Sequence, residues 1–275
     1  MNANERRRQI LEVLCERRFD TISNLMFEFS VSRATIKRDI QELTLSYPIY
    51  TTLGNGGGVH VVDGYRIGKE GRAAAIFADM GTGKTLITIS TVGTLYEQER
   101  IHKMLVVCPK SIVGVWEEEF RKFADFRYAL TVLDGTLDKK KSAFEYMNGT
   151  ALQVIVVNYE SCWRLEKEVA KWRPDIIVCD ESSKIKNPQT AQSKALHRLG
   201  RISKYNIILT GTPTTGSPLD FFSQYKFLDE SILGTSYYLF RNKYAILGGY
   251  QRHQVIGYQN LAKLMVDDWR SLLNG

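Results

Sequence analysis

Between Glu5 and Thr44 the apolar positions recur at helical spacing, in three short stretches without a proline or a glycine. The first stretch carries Ile10, Leu11, Val13 and Leu14 on one side. Ile22, Leu25, Met26 and Phe29 stripe the second at i, i+3, i+4 and i+7, and Ile36, Ile40 and Leu43 stripe the third. Oxygen-bearing side chains stand where helix starts need them: Thr21 before the second stretch, and Ser32 before the third, after the break Ser30-Val31-Ser32. The rhythm then changes to that of strands. Tyr47-Pro48-Ile49-Tyr50-Thr51-Thr52 and Val59-His60-Val61-Val62 flank the turn Gly54-Asn55-Gly56-Gly57-Gly58, which predicts a hairpin.

From residue 73 onward short apolar runs alternate with longer amphipathic stretches. Residues 73–78, 104–108, 152–157, 175–179 and 207–210 read as buried strands, with room between them for crossover helices. The expected fold class is α/β: one lobe with a mainly parallel sheet over residues 73–275, behind a small N-terminal winged helix-turn-helix over residues 1–63. Residues 64–72, with glycines at 64, 68 and 71, read as the linker. Ligands of such sheets sit beyond the carboxyl ends of the strands.

Composition narrows the classes. Hydrophobic residues at 44% and charged residues at 24% exclude a disordered chain. No run approaches the ~18 apolar residues of a membrane span, so no membrane association is expected. The polar start, Met1-Asn2-Ala3-Asn4-Glu5-Arg6-Arg7-Arg8, is not a signal peptide, and the location expected is cytoplasmic. Cys15, Cys108, Cys162 and Cys179 are too scattered for a zinc site or a disulfide framework. The net charge of +7 permits a polyanionic partner.

The third helical stretch bears that charge on one face. Ser32, Arg33, Thr35, Lys37 and Arg38 lie away from its apolar stripe and offer cations for phosphates and guanine edges and hydroxyls for close contacts. The stretch Val31-Ser32-Arg33-Ala34-Thr35-Ile36-Lys37-Arg38-Asp39-Ile40 resembles the recognition helix of DeoR-type bacterial regulators, and residues 4–62 resemble that domain throughout. The resemblance implies binding to duplex DNA. A regulator of that type would continue into a sugar-phosphate sensor, and this chain continues otherwise.

Ala78-Asp79-Met80-Gly81-Thr82-Gly83-Lys84-Thr85 meets the phosphate-loop template, with Ala78 in place of the first glycine, a strand before it and an apolar helix after it. Asp79, Met80, Gly81, Thr82 and Gly83 would turn backbone N–H groups toward phosphates at a helix start. Lys84 would neutralise the β- and γ-phosphates of ATP, and Thr85 would ligate Mg²⁺. Farther on, the run Ile176-Ile177-Val178-Cys179 ends in Asp180-Glu181. There Asp180 would hold the hydrated metal and Glu181 would orient and deprotonate the attacking water.

Together these residues resemble the first RecA-like lobe of superfamily 2 DExx-box ATPases, and most of all the Swi/Snf-like proteins of bacteria and phages. Residues 78–85 resemble motif I and residues 180–183 motif II, with Ser183 where many members carry His. Leu209-Thr210-Gly211-Thr212-Pro213 resembles motif III, so Thr210, Gly211 and Thr212 are implied to couple nucleotide state to DNA. Val107-Cys108-Pro109-Lys110-Ser111, followed by Trp116, resembles motif Ia, which implies DNA contact by Lys110 and Ser111. Val156-Val157-Asn158-Tyr159-Glu160 and Lys184-Ile185-Lys186-Asn187-Pro188 are similar to further family segments. The resemblance implies Mg-ATP hydrolysis coupled to movement on duplex DNA.

Two departures follow. No glutamine lies between Gln41 and Gln98, where the family reads adenine. Only 62 residues follow Pro213, fewer than the roughly 100–150 of a further lobe that supplies the arginine finger and the other cleft wall in the family, so weak turnover alone is expected; a natural fusion, an engineered chimera and a truncated reading frame would all look like this, and the sequence leaves open whether another chain completes the cleft. The segment Tyr237-Tyr238-Leu239-Phe240-Arg241-Asn242-Lys243-Tyr244 could stack single-stranded bases, but it reads first as a helix packing Leu239, Phe240 and Tyr244 on the lobe. His60 reads as a strand residue of the wing; His102, His197 and His253 show no ligand spacing. The competing function is a non-catalytic DNA-binding regulator whose affinity nucleotide modulates.

Overall fold

The computed structural model describes residues 2–46, 49–52, 57–61, 65–67, 72–79, 81–144, 149–212, 216–249, 254–261 and 264. Met80, Pro213, His253 and the turn residues 53–56 lie outside that set. The chain forms two compact units, Met1–Arg66 and Ile67–Gly275.

The first unit contains α1 (Ala3–Arg17), β1 (Phe19–Asp20), α2 (Ile22–Phe29), α3 (Arg33–Ser46), β2 (Ile49–Thr51) and β3 (Val59–Val61). Local chemistry sets each helix boundary. The Glu5 amide donates to Asn2 Oδ1, the Asn24 amide to Thr21 Oγ1 and the Thr35 amide to Ser32 Oγ. Arg18 and Ser30 stop α1 and α2 in the left-handed conformation, and their amides cap the preceding carbonyls. Of the anticipated stripes, Ile10, Leu11, Leu14, Leu25, Ile36, Ile40 and Leu43 are buried with Ile49, Val59 and Val61, while Val13, Ile22, Met26 and Phe29 are half-buried. β2 and β3 pair antiparallel as the hairpin pattern predicts. The two-residue β1, too short for a periodic signal, completes a sheet in the order β1-β3-β2. Buried Asp39 joins α3 to α1 through Arg6 Nε at 2.6 Å and Arg7 Nε at 3.0 Å.

β4 (Tyr65–Ile67) falls on the boundary between the units, and the strands of the second unit are β5 (Ala73–Phe77), β6 (Lys103–Cys108), β7 (Tyr128–Val132), β8 (Leu152–Asn158), β9 (Ile176–Asp180) and β10 (Tyr205–Thr210). These six form one sheet in the order β5-β10-β9-β6-β8-β7, with every pairing parallel. Five strands fall where the apolar runs place them. β7, half-buried along its length, carries no such run and is an addition.

The crossovers contain α4 (Lys84–Glu97), α5 (Val113–Phe123), α6 (Leu137–Ala143), α7 (Tyr159–Arg164), α8 (Glu166–Trp172) and α9 (Ala191–Ile202). Side chains alternate across a strand, so the sheet has two distinct faces. Leu105, Val107, Ile155, Val157, Ile177, Cys179 and Ile208 pack with residues of α7, α8, α9 and the following α10 (Asp220–Leu228). Their alternates, among them Val106, Val156 and Val178, are buried on the face left for α4 and α5, which supply Ile89, Val92, Trp116 and Phe120.

His197 of α9 is buried, its Nε2 2.9 Å from the Ser223 carbonyl and 3.1 Å from Ser223 Oγ of α10. Burial pulls this imidazole down to about 4, with Lys226 and Arg201 adding to the effect and the Ser223 carbonyl and Glu230 opposing it. It is a packing residue between two helices.

After α11 (Glu230–Leu233), α12 (Tyr237–Tyr244) leads into the antiparallel pair β11 (Ala245–Gly248) and β12 (Gln254–Tyr258). The packing expected of α12 holds for Phe240 and Tyr244, which join a core with Leu219 and Phe222. It fails for Leu239, which is 69% exposed. Phe240 and Tyr244 are four residues apart, whereas Leu239 is one position around the helix and points off that stripe. All four cysteines are buried, and none is in a disulfide.

Candidate nucleotide-binding site

The residues singled out in the second unit meet at the carboxyl ends of β5, β9 and β10. β10 lies between the other two, so Thr210 is in register with Phe77, and Leu209 with Asp180. The Ala78 amide donates to the Thr210 carbonyl at 3.2 Å, tying the start of the loop to the end of β10. Thr210 Oγ1 stands 3.5 Å from Glu181 Oε2 and accepts the Thr212 amide at 3.1 Å.

The loop turns sharply enough to demand glycine. Gly81 and Gly83 have φ of +80° and +85°, and a Cβ on either would meet no atom within 4 Å. The space beside the backbone is therefore open. Gly83 caps α4, which begins at Lys84 with Thr85 as its second residue. The first turn of a 14-residue helix thus faces the loop with unpaired N–H groups. Lys84 Nζ folds back and donates to the Ala78 and Asp79 carbonyls at 2.7 and 2.8 Å. Thr82 Oγ1 donates to the Asp79 carbonyl at 2.7 Å, bracing the turn.

Asp180 is almost wholly buried. Trp116 Nε1 of α5 donates to its Oδ2 at 2.9 Å, and the Glu181 amide to its Oδ1 at 2.9 Å. Its backbone carbonyl accepts the Tyr159 hydroxyl at 2.8 Å. Burial raises this carboxyl above the usual range; the two N–H donors and Lys84 oppose the rise, and the Glu181 charge adds to it. Glu181 has φ of +53°, in the left-handed region, a conformation costing ~1 kcal/mol or more for a residue with a Cβ. Strain of this kind is held in place by its surroundings, and here it aims the second acid away from the strand direction.

These features fit a nucleotide and a divalent cation. A bent loop with open space, a helix start and a lysine presented by carbonyls suit phosphate oxygens. Two adjacent acids, one of them desolvated, share this end of the sheet with the Lys84 ammonium group, whose charge acts on Asp180. Among the described residues no group of three or more His, Cys, Asp or Glu could hold a metal alone. A cation here would take one carboxylate and fill its shell with water and phosphate oxygens, as Mg²⁺ does.

Lys110 and Ser111 are both exposed in the 3₁₀ turn Lys110–Ile112 that follows β6. In the first unit Arg33, Lys37 and Arg38 are exposed on α3 and make no ion pair among the described residues. Ser32 caps α3 as its place before the helix predicts, accepting the Thr35 amide, and its hydroxyl stands 2.9 Å from that of Thr35. His60 stacks on Tyr50 at 5.0 Å and is 2.9 Å from Thr52 Oγ1. Sequence reasoning missed the roles of Trp116, Tyr159, and the buried pair Ser182–Gln224, whose side chains meet at 2.6 Å. A lone buried donor gives no periodic signal; the family resemblance covers Trp116, Tyr159 and Ser182 as motif positions but not their partners.

The family model described as the SNF2-related domain matches residues 22–267. The chain belongs to the SNF2-related domain family. The match begins at Ile22, inside the first unit, and runs through most of the second; it does not favour a regulator without an ATPase lobe. The DNA repair and recombination protein RAD54B of Homo sapiens is 33% identical over 173 residues, covering 60% of this chain and 18% of its own. A DNA repair and recombination protein RAD54-like of Drosophila erecta is 33% identical over 196 residues, covering 66% of this chain and 25% of its own.

Two solved structures of the Sulfolobus solfataricus SWI2/SNF2 ATPase core are similar. The core in complex with dsDNA gives a TM-score of 0.53 at 35% identity, over 63% of this chain and 35% of that one. The core domain by itself gives 0.54 at 32%, over 72% and 38%. This SNF2-related chain thus spans a quarter or less of those curated relatives and under two fifths of the solved cores. No helix among the described residues is long and apolar enough to cross a membrane.

Proposed function

We propose that the second unit binds Mg-ATP at residues 78–85 and acts as the first lobe of a Swi/Snf-type ATPase that works on duplex DNA. The observation that carries this reading is the convergence of the glycine loop, Lys84, Asp180, Glu181 and Thr210 at the ends of three adjacent strands. Lys84 exchanges the Ala78 and Asp79 carbonyls for the β- and γ-phosphates, and Thr85 and Asp180 hold the Mg²⁺ ion. The bound ion supplies charge neutralisation for phosphoryl transfer to water. Glu181 orients that water and takes its proton, while Thr210, Gly211 and Thr212 pass the state of the site onward. Asp79, Met80, Gly81, Thr82 and Gly83 line the phosphates.

The relatives' names, DNA repair and recombination proteins and an ATPase core in complex with dsDNA, support duplex DNA as the partner. We assign Lys110 and Ser111 to its backbone. The first unit has the helix-strand-helix-helix-strand-strand order of a winged helix-turn-helix, and we read it as a DeoR-like head whose Arg33, Lys37 and Arg38 meet DNA from α3. The reading includes a bacterial or phage origin and a cytoplasmic location. Calorimetry with Mg-ATP tests its centre. Lys84→Ala should lose most of the binding, and equal affinity in the variant and the parent chain would place the nucleotide elsewhere.

A further inference from the structure

Asp180 is the acid on which the metal depends, and its carboxylate is fixed at both ends. The terminal torsion of an aspartate is broad and two-fold, so it needs neighbours to set its plane. Two donors from different elements do this: the Glu181 amide on Oδ1 and the Trp116 indole on Oδ2, both at 2.9 Å. The amide comes with the strand, as it belongs to the next residue. The indole comes from α5, 64 residues away in the chain.

Trp116 is 1% exposed and packs beside Phe120 at 6.3 Å between ring centroids. Ring packing alone would suit phenylalanine equally. What the indole adds is one N–H, which a buried tryptophan has to satisfy. Here it is spent on a carboxylate oxygen. Each oxygen of Asp180 keeps a further lone pair, and with both ends held those lone pairs are presented in one orientation.

We propose that Trp116 is a positioning residue for the divalent cation: its indole N–H locks the Asp180 carboxylate in the orientation that binds Mg²⁺ with nucleotide. The proposal rests on the reading of residues 78–85 and Asp180 as an Mg-nucleotide site. Partners that orient a metal ligand in this way carry tenfold or more of metal affinity in other proteins. α5 begins two residues beyond Ser111, so the same hydrogen bond joins the helix behind the assigned DNA segment to the metal acid.

The test uses the full chain, a fluorescent ATP analogue carrying a ribose-linked methylanthraniloyl group, and Mg²⁺. Analogue binding is titrated in EDTA and then against Mg²⁺ for the parent chain, Trp116→Phe, and a chain with benzothienylalanine at position 116. That last ring matches indole in shape and replaces only the N–H by sulfur. The expected result is an Mg²⁺ midpoint raised about tenfold in both altered chains, with affinity in EDTA within twofold of the parent. In an Asp180→Asn background the same changes at 116 should leave the Mg²⁺ midpoint where Asp180→Asn alone puts it. A lowered melting temperature with an unmoved Mg²⁺ midpoint would reduce Trp116 to a packing residue and overturn the proposal. Should Trp116→Phe not fold, the benzothienyl chain decides by the same midpoint. Parent and Lys84→Ala chains that bind the analogue equally, with or without Mg²⁺, would overturn the nucleotide reading first and this inference with it.

Discussion

His197 makes the stability of the second unit depend on pH in a way that can be worked from its surroundings. In the unfolded chain its imidazole titrates near 6.5 and in the fold near 4, chiefly because burial disfavours the imidazolium ion. Between those values the unfolded chain holds a proton that the folded chain refuses, so stability falls as pH falls. The full contribution is present above pH 6.5, about 2 kcal/mol of it is gone at pH 5, and the loss levels off near ~3 kcal/mol below pH 4. Carboxylates titrate in the same window, so the informative quantity is a difference between chains. His197→Gln keeps a donor for the Ser223 carbonyl and cannot be protonated. Urea unfolding followed by tryptophan fluorescence reports this unit alone, since Trp116, Trp163, Trp172 and Trp269 all belong to it. From pH 7.5 to pH 5 the parent should lose about 2 kcal/mol more than His197→Gln. Parallel losses in the two chains would show that His197 is protonated in the fold and would refute the reasoning.

Three further outcomes are expected. Changing Arg33, Lys37 and Arg38 together to Ala should weaken duplex DNA binding and reduce its salt slope by about 3, read from titrations at two or more salt concentrations. Asp39→Ala leaves Arg6 and Arg7 without their shared carboxylate and should destabilise the first unit by about 2–3 kcal/mol, since Arg7 keeps some solvent; hydrogen exchange of the α1 and α3 amides measures it. Gly200→Ala would bring a Cβ within 2.7 Å of the Phe227 carbonyl oxygen, so despite a better helix former it should cost ~1–3 kcal/mol in the urea assay.

What the sequence disclosed follows the range of each physical signal. Ile36, Ile40 and Leu43, or the run Ile176–Cys179, declare their elements because burial imposes a period or a length on neighbours in the chain. Motif residues 81, 83, 84 and 85 were legible for a related reason: glycine and lysine in that register answer a local backbone demand. β7 was illegible, since an edge strand half open to water carries no apolar run. The bond from Trp116 to Asp180 was illegible too, because it depends on which face of β9 looks toward α5. Leu239 misled through composition, being apolar but one position off the buried stripe of α12.

The order of strands in the large sheet bears on when the site can come into being. β5 precedes the glycine loop, yet its parallel neighbour β10 is made more than a hundred residues later. As the chain leaves the ribosome, motif I emerges, then motif II, and neither yet has the strand that separates and joins them. A chain cut after α9 would carry Lys84, Thr85, Asp180 and Glu181 intact, but the Ala78 amide would lack the Thr210 carbonyl and β5 its paired edge. Long-range parallel pairing of this sort forms late and leaves strand edges open meanwhile. The phosphate loop is therefore among the first functional segments synthesised and among the last to be shaped.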